Sequence, residues 1–260
     1  MDEKKLILFP ILSGLALIAI LLAFLAPVYL LGGDITLIIG LFCFYVAAYF
    51  VVIFFNSALV YAVGQKIDGK SVSIMGSISF ALSRLPSILG WAFIAATVGL
   101  ILSILDSIAR EQKGIGAIIA RIIISIIGMG WALATYFVVP IIVFEGTGPL
   151  SAIRRSIDLI KKSWGEQAIG SIGIGGAFFI LYLIGIIAIG ISFFVLPVTM
   201  IIIIPLVICY FGVLFILQGA LQGIFVTELY RYSATGQAVV FKDEIEAIRS
   251  KIKGPSQQVK

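Results

Sequence analysis

Six long apolar runs, separated by short polar interruptions, make up most of this chain. They cover about Leu6–Leu31, Ile35–Val63, Ser87–Leu105, Ile115–Phe144, Ala168–Leu196 and Met200–Leu229. A helix needs roughly 20 apolar residues to cross a bilayer, so each run predicts one span. The fourth is too long for an upright span. Ile115 to about Arg121 is therefore expected to begin in the interface, with Arg121 snorkelling outward. The interruptions are turn-like: Gly32-Gly33-Asp34, Gln65–Lys70, Asp106–Gly114, Glu145–Gly148, Pro197 and Tyr230–Gly236. Pro86 marks a kink or break before the third span.

Three segments between or after the spans have helical periodicity with a polar face. Leu150, Ile153, Ile157, Ile160 and Trp164 fall at i, i+3, i+7, i+10 and i+14, an apolar stripe. Arg154, Arg155, Asp158, Lys161 and Lys162 lie opposite it, and Pro149 suits the first helical position. The chain is expected to turn back towards the membrane at Trp164-Gly165. Such a helix either lies in the interface beside anionic head groups or packs under the bundle as a connector. Ile74, Ile78, Leu82 and Leu85 predict a similar helix after span two. Phe241, Ile245, Ile248 and Ile252 predict one after span six, where Asp243 and Glu246 have capping-box spacing. Residues 254–260 are expected to be disordered. The expected fold is all-α: one polytopic transmembrane helix bundle over residues 1–253, with about six spans. Cytoplasmic amphipathic surface helices follow spans two, four and six.

The order of elements repeats. The string YFVV occurs at Tyr49–Val52 and again at Tyr136–Val139. Each copy leads through the rest of a span, a glycine-containing turn, an amphipathic helix and a return span. The end of span six begins a third, partial copy. This is a parallel repeat, unlike the inverted repeats of many transporters.

Composition agrees with the runs: 61% of residues are hydrophobic and 12% are charged, against about 25% charged in soluble domains. Cys43 and Cys209 sit in apolar spans and are expected to be buried small hydrophobes. The chain has no histidine. That excludes a Ser–His pair and an HExxH metal site, and the aspartates fall in termini, loops or surface helices. No enzyme activity, cofactor or metal is expected. With six spans, fifteen of the eighteen Lys and Arg residues fall on the side holding both termini. The other side keeps Arg110, Lys113 and Arg121. This positive-inside bias places both termini in the cytoplasm of a cell membrane.

Tyr49–Leu59, Leu89–Leu102, Glu145-Gly146, Trp164-Gly165-Glu166-Gln167 and Ala220–Gly236 give the chain a further identity. In these motifs, and in their order over nearly its whole length, it resembles an uncharacterised family of prokaryotic six-span membrane proteins. That family is known only as a domain of unknown function. The resemblance implies a compact helical membrane domain, and no reaction, cofactor or substrate.

Three groups of residues are candidates for function. Arg154, Arg155, Lys161, Lys162 and Trp164 are candidate lipid contacts. Asn56, Ser57, Gln218 and Gln222 form a candidate intramembrane polar network, because amides in hydrocarbon need partners. They serve either as interhelical glue or as a solute pathway. Glu145, Glu166 and Glu228 form a candidate acidic cluster at the inner ends of spans, fixing surface helices or holding a cation or head group. The glycines of span five indicate tight packing or a flexible gate. The expected function is a non-catalytic membrane protein whose basic helices engage anionic lipid or a partner protein. An oligomeric channel or a small-solute or ion transporter is the alternative. The lipid bilayer is the expected partner, a homo-oligomer is possible, and nucleic acid is not expected.

Overall fold

The computed structural model describes the backbone of residues 5–31, 34–111, 114–195 and 200–235. The side chains of 26–31, 34–36, 38, 162–172, 193–195 and 200–202 lie outside that description. The predicted helix at 241–252 and the tail at 254–260 lie outside it entirely. The elements are α1 (Leu8–Leu31), α2 (Asp34–Ile67), α3 (Ile74–Ser83), α4 (Leu85–Glu111), α5 (Ile115–Ala134), α6 (Val138–Glu145), α7 (Pro149–Val195) and α8 (Met200–Thr235). Among the described residues there is no strand. Six segments are long and apolar enough to span a membrane, as the six runs predict, and the protein is a multi-pass membrane protein.

Several boundaries differ from the sequence expectation. α4 continues to Glu111 through the predicted loop, helped by an Arg110–Asp106 pair at 2.8 Å with i,i+4 spacing. The break before span three falls at Arg84, where the backbone leaves helical geometry. α8 runs through Tyr230 to Thr235, where a loop was expected. The fourth run is not one rod: Thr135–Phe137 separates α5 from α6. The largest difference concerns the central basic segment. α7 is one helix of 47 residues, so there is no turn at Trp164-Gly165. The predicted surface helix and span five are continuous, because neither Trp nor a single Gly obliges a helix to stop.

The apolar stripes face the core only in part: Ile153 and Ile160 of α7 and Ile74 and Ile78 of α3 are half-buried and pack against it. In the first three turns of α7 the buried residues are Ala152, Ser156 and Leu159, while Leu150 is 66% exposed and Ile157 is exposed. On α3 the buried residues are Ser77 and Ala81, while Met75 and Leu82 are exposed. The bilayer accounts for this. Large apolar side chains need no protein partner in lipid, whereas small residues let helix backbones approach. Cys43 and Cys209 follow the same logic and are exposed, not buried. Among the described span-five glycines, only Gly185 makes a close approach. A Cβ there would stand 2.8 Å from Phe211 of α8, while Gly173, Gly175, Gly176 and Gly190 meet nothing.

The core lies at one pole of the bundle. Its most deeply buried residues include Ala58–Val60 and Ala62 near the end of α2, Ile88 near the start of α4, Val138 and Ile141 in α6, and Leu229 near the end of α8. The opposite ends of the spans expose their Leu, Ile and Phe side chains. The two repeat copies meet at this packed pole. Each turns on a glycine with positive φ, Gly69 at 71° and Gly146 at 67°, a conformation open to Gly at little cost.

Candidate functional site

The packed pole carries a polar network assembled from four helices. Glu145 closes α6. Its Oε1 accepts from Arg155 Nε on α7 at 3.1 Å and from the Tyr230 hydroxyl on α8 at 3.0 Å. Arg231, the next residue, reaches the other way and pairs with Asp68 beyond α2 at 2.7 Å. Tyr230 stacks on Phe144, with ring centroids 5.5 Å apart and planes 10° from parallel. Phe144 in turn presses on Gly64 of α2, where a Cβ would stand 2.6 Å from the ring. Glu228, two residues before Tyr230 on α8, is fully buried. The break at Phe137 frees a backbone N–H, and Ser156 Oγ accepts it at 3.1 Å. An unpaired N–H at membrane depth costs several kcal/mol, so this buried serine holds the break.

The network sorts the sequence candidates. It joins Glu145 to Arg155, a candidate lipid contact that instead has a protein partner. Glu228 lies on the same helix end. The side chains of Lys162, Trp164 and Glu166 lie outside the described residues. Arg154 is exposed. Lys161 is 72% exposed at its side chain, with only a 3.9 Å approach to Asp158.

Arg84, at this pole, has no counter-ion among the described residues. Arg84 lies between α3 and α4, half-buried, with its guanidinium carbon 5.5 Å from the centre of the Phe80 ring. Its NH1 stands 2.6 Å from where a Cβ on Gly146 would sit. Among the described residues no carboxylate pairs with it, and its Nε and the neighbouring Thr147 hydroxyl have no hydrogen-bond partner. The sequence pattern does not single out Arg84. Its isolation is a tertiary fact, created by the approach of the Gly146–Pro149 connection.

The intramembrane amides separate into two places. Gln218 Oε1 accepts from Tyr182 of α7 at 3.0 Å. Ser57 is buried and bonds within its own helix, to Ile53 O at 2.8 Å. Asn56 and Gln222 line a pocket of about 210 Å³ between α1, α2 and α8. Gly223 lets α8 approach α2 there, since a Cβ would collide with Leu59. Among the described residues no three carboxylate or thiol side chains converge as a metal-holding group.

A family model described as a family of unknown function (DUF6159) matches residues 35–240. That match takes in both repeat copies and the whole polar network. No curated protein matches the chain, and no solved structure does.

Proposed function

The chain belongs to the DUF6159 family of unknown function, and we propose that it is a non-catalytic membrane protein whose basic pole binds anionic lipid head groups. The observation that carries this reading is Arg84, a half-buried guanidinium with no carboxylate partner among the described residues. A cation at a membrane boundary without a protein counter-ion finds one in phosphate, which guanidinium binds through paired N–H donors. Arg154 and Lys161 extend the positive surface, being exposed and at most weakly paired. Arg155 belongs to the network with Glu145 and stands apart from this surface.

Native mass spectrometry with phosphatidylglycerol and phosphatidylcholine tests the reading. Each basic charge near an anionic leaflet contributes roughly 1 kcal/mol. Losing Arg84, Arg154 and Lys161 together as glutamines therefore removes about two decades of preference at low salt. The difference shrinks as ionic strength rises. Unchanged retention of phosphatidylglycerol in the triple variant overturns the reading. A large fall in melting temperature with retention unchanged assigns these cations to internal packing.

The orientation that puts this pole in the cytoplasm rests on the fifteen basic residues that share its side with both termini. Single cysteines at Gln112 and Gln257, in a chain with Cys43 and Cys209 replaced by alanine, are expected to label from opposite sides of sealed vesicles. Labelling of both from one side contradicts the six-span orientation.

A further inference from the structure

The pocket between α1, α2 and α8 has a polar end that the lipid-head-group reading does not use. Asn56 and Gln222 both line it, and no hydrogen bond joins either amide to another described residue. Unsatisfied amides in hydrocarbon are costly, so their presence there indicates an occupant with complementary groups. The remaining wall is mostly apolar, with Phe9, Phe55 and Phe215 among its residues and Ser13 as a third polar group. No ionisable side chain lines it, so the occupant is neutral.

Depth narrows the choice. Asn56 precedes the end of α2 at Ile67 by eleven residues, about 16 Å of helix. Gln222 precedes Arg231 by nine residues, about 14 Å of helix. Half of a hydrocarbon core is about 15 Å. With the Arg231–Asp68 pair at the boundary, the amides lie near the bilayer midplane. The ester carbonyls of bilayer lipids stay at the boundary and do not reach them. Size and access narrow it further. An apolar cavity of about 150 Å³ accommodates benzene, so about 210 Å³ accommodates a substituted ring. Val52 and Phe215 line the pocket and are also exposed. Its mouth therefore opens on the lipid-facing perimeter, where a hydrocarbon tail can leave.

We propose that this pocket binds the head group of a neutral, membrane-dissolved ring compound bearing carbonyl groups, the chemistry of an isoprenoid quinone. The Asn56 and Gln222 amides donate to the ring carbonyls, and the phenylalanines flank the ring. Gly219 leaves the wall open: a Cβ there would meet Pro10 at an ordinary 3.7 Å. An alanine at 219 therefore narrows the space without forcing the helices apart.

Isothermal titration of the full chain in detergent with a decyl-substituted dimethoxybenzoquinone tests the proposal. A decylbenzene of similar size, without carbonyls, is the control. Saturable binding of the quinone is expected, with the control about tenfold weaker or worse. Asn56→Leu with Gln222→Leu is expected to lower quinone affinity about tenfold, the loss of two neutral hydrogen bonds. Gly219→Ala is expected to weaken binding by occupying space, and it keeps the test decisive if the amide variant does not fold. Non-saturable uptake, equal in all variants, overturns the proposal. So does equal binding of quinone and decylbenzene. Solute flux in vesicles that Gly219→Ala blocks, with no quinone binding, also overturns it and assigns the amides to a water-filled path.

Discussion

Gly64→Ala is expected to lower the melting temperature of the purified protein, although alanine is the better helix former. The helix term alone favours alanine by about 0.5–1 kcal/mol. Packing opposes it. The new Cβ would stand 2.6 and 2.7 Å from two atoms of the Phe144 ring. Real carbon atoms do not approach so closely, so the ring must retreat. Its face is stacked on Tyr230, whose hydroxyl is held by Glu145. Retreat therefore disturbs α6 and α8 together. Overpacking of this kind costs about 1–3 kcal/mol, which exceeds the helix gain. Gly64→Val adds two more carbons and is expected to leave little folded protein. Gly128→Ala provides the control, because nothing lies within 4 Å of its added carbon and only the helix gain remains. Phe144→Leu in the Gly64→Ala chain is expected to restore part of the loss. Equal melting of Gly64→Ala and Gly128→Ala would falsify the packing account.

The contrast between Gly64 and Gly128 also marks what the chain's pattern can convey. Gly64 follows the second apolar run and Gly128 lies inside the fourth, and nothing local shows which of the two is crowded. What separates them is Phe144, which lies far along the chain and reaches Gly64 only once α6 is in place. Span number is different in kind. It depends on the length of each run against the bilayer thickness, a local property, and all six spans were legible. Helix faces were legible only in part: Ile153 and Ile160 pack on the core, while Leu150 and Ile157 do not. The stripe through Leu150 and Ile157 assumes that large apolar residues seek protein, which holds in water and fails in lipid. Ala152 and Ser156 face inward because they are small. The turn at Trp164-Gly165 was read from residues that permit a turn without requiring one. At the candidate sites, the polarity of Asn56 and Gln222 singled them out. Their pocket needed α1, whose Phe9 and Pro10 carry no polar signal. Arg84 was invisible for the converse reason: a surface arginine is ordinary, and only the three-dimensional neighbourhood shows that it lacks a carboxylate.

Glu145→Ala is expected to destabilise the packed pole through Tyr230 more than through Arg155. Glu145 Oε1 serves both partners, at 3.0 and 3.1 Å. The Arg155 side chain is 42% exposed, so its charge can be rehydrated once Glu145 is gone. Exposed pairs of this kind contribute about 0–1 kcal/mol. Tyr230 is only 5% exposed. Its hydroxyl would lose its acceptor while the rest of the side chain stays buried, which costs about 1–3 kcal/mol. The two contributions can be separated by experiment. Glu145→Gln keeps an oxygen for Tyr230 and removes the charge facing Arg155, so it is expected to lose less stability than Glu145→Ala. Tyr230→Phe removes the orphaned hydroxyl and keeps the stack on Phe144. In that background Glu145→Ala is expected to cost little, and the coupling energy of the double-mutant cycle measures the buried bond. Changing ionic strength serves as an independent check, because a neutral hydroxyl bond to a carboxylate is screened less than an exposed ion pair. If the loss in Glu145→Ala is unchanged by Tyr230→Phe and is abolished by salt, Arg155 holds the pole together, and the hydroxyl is a bystander.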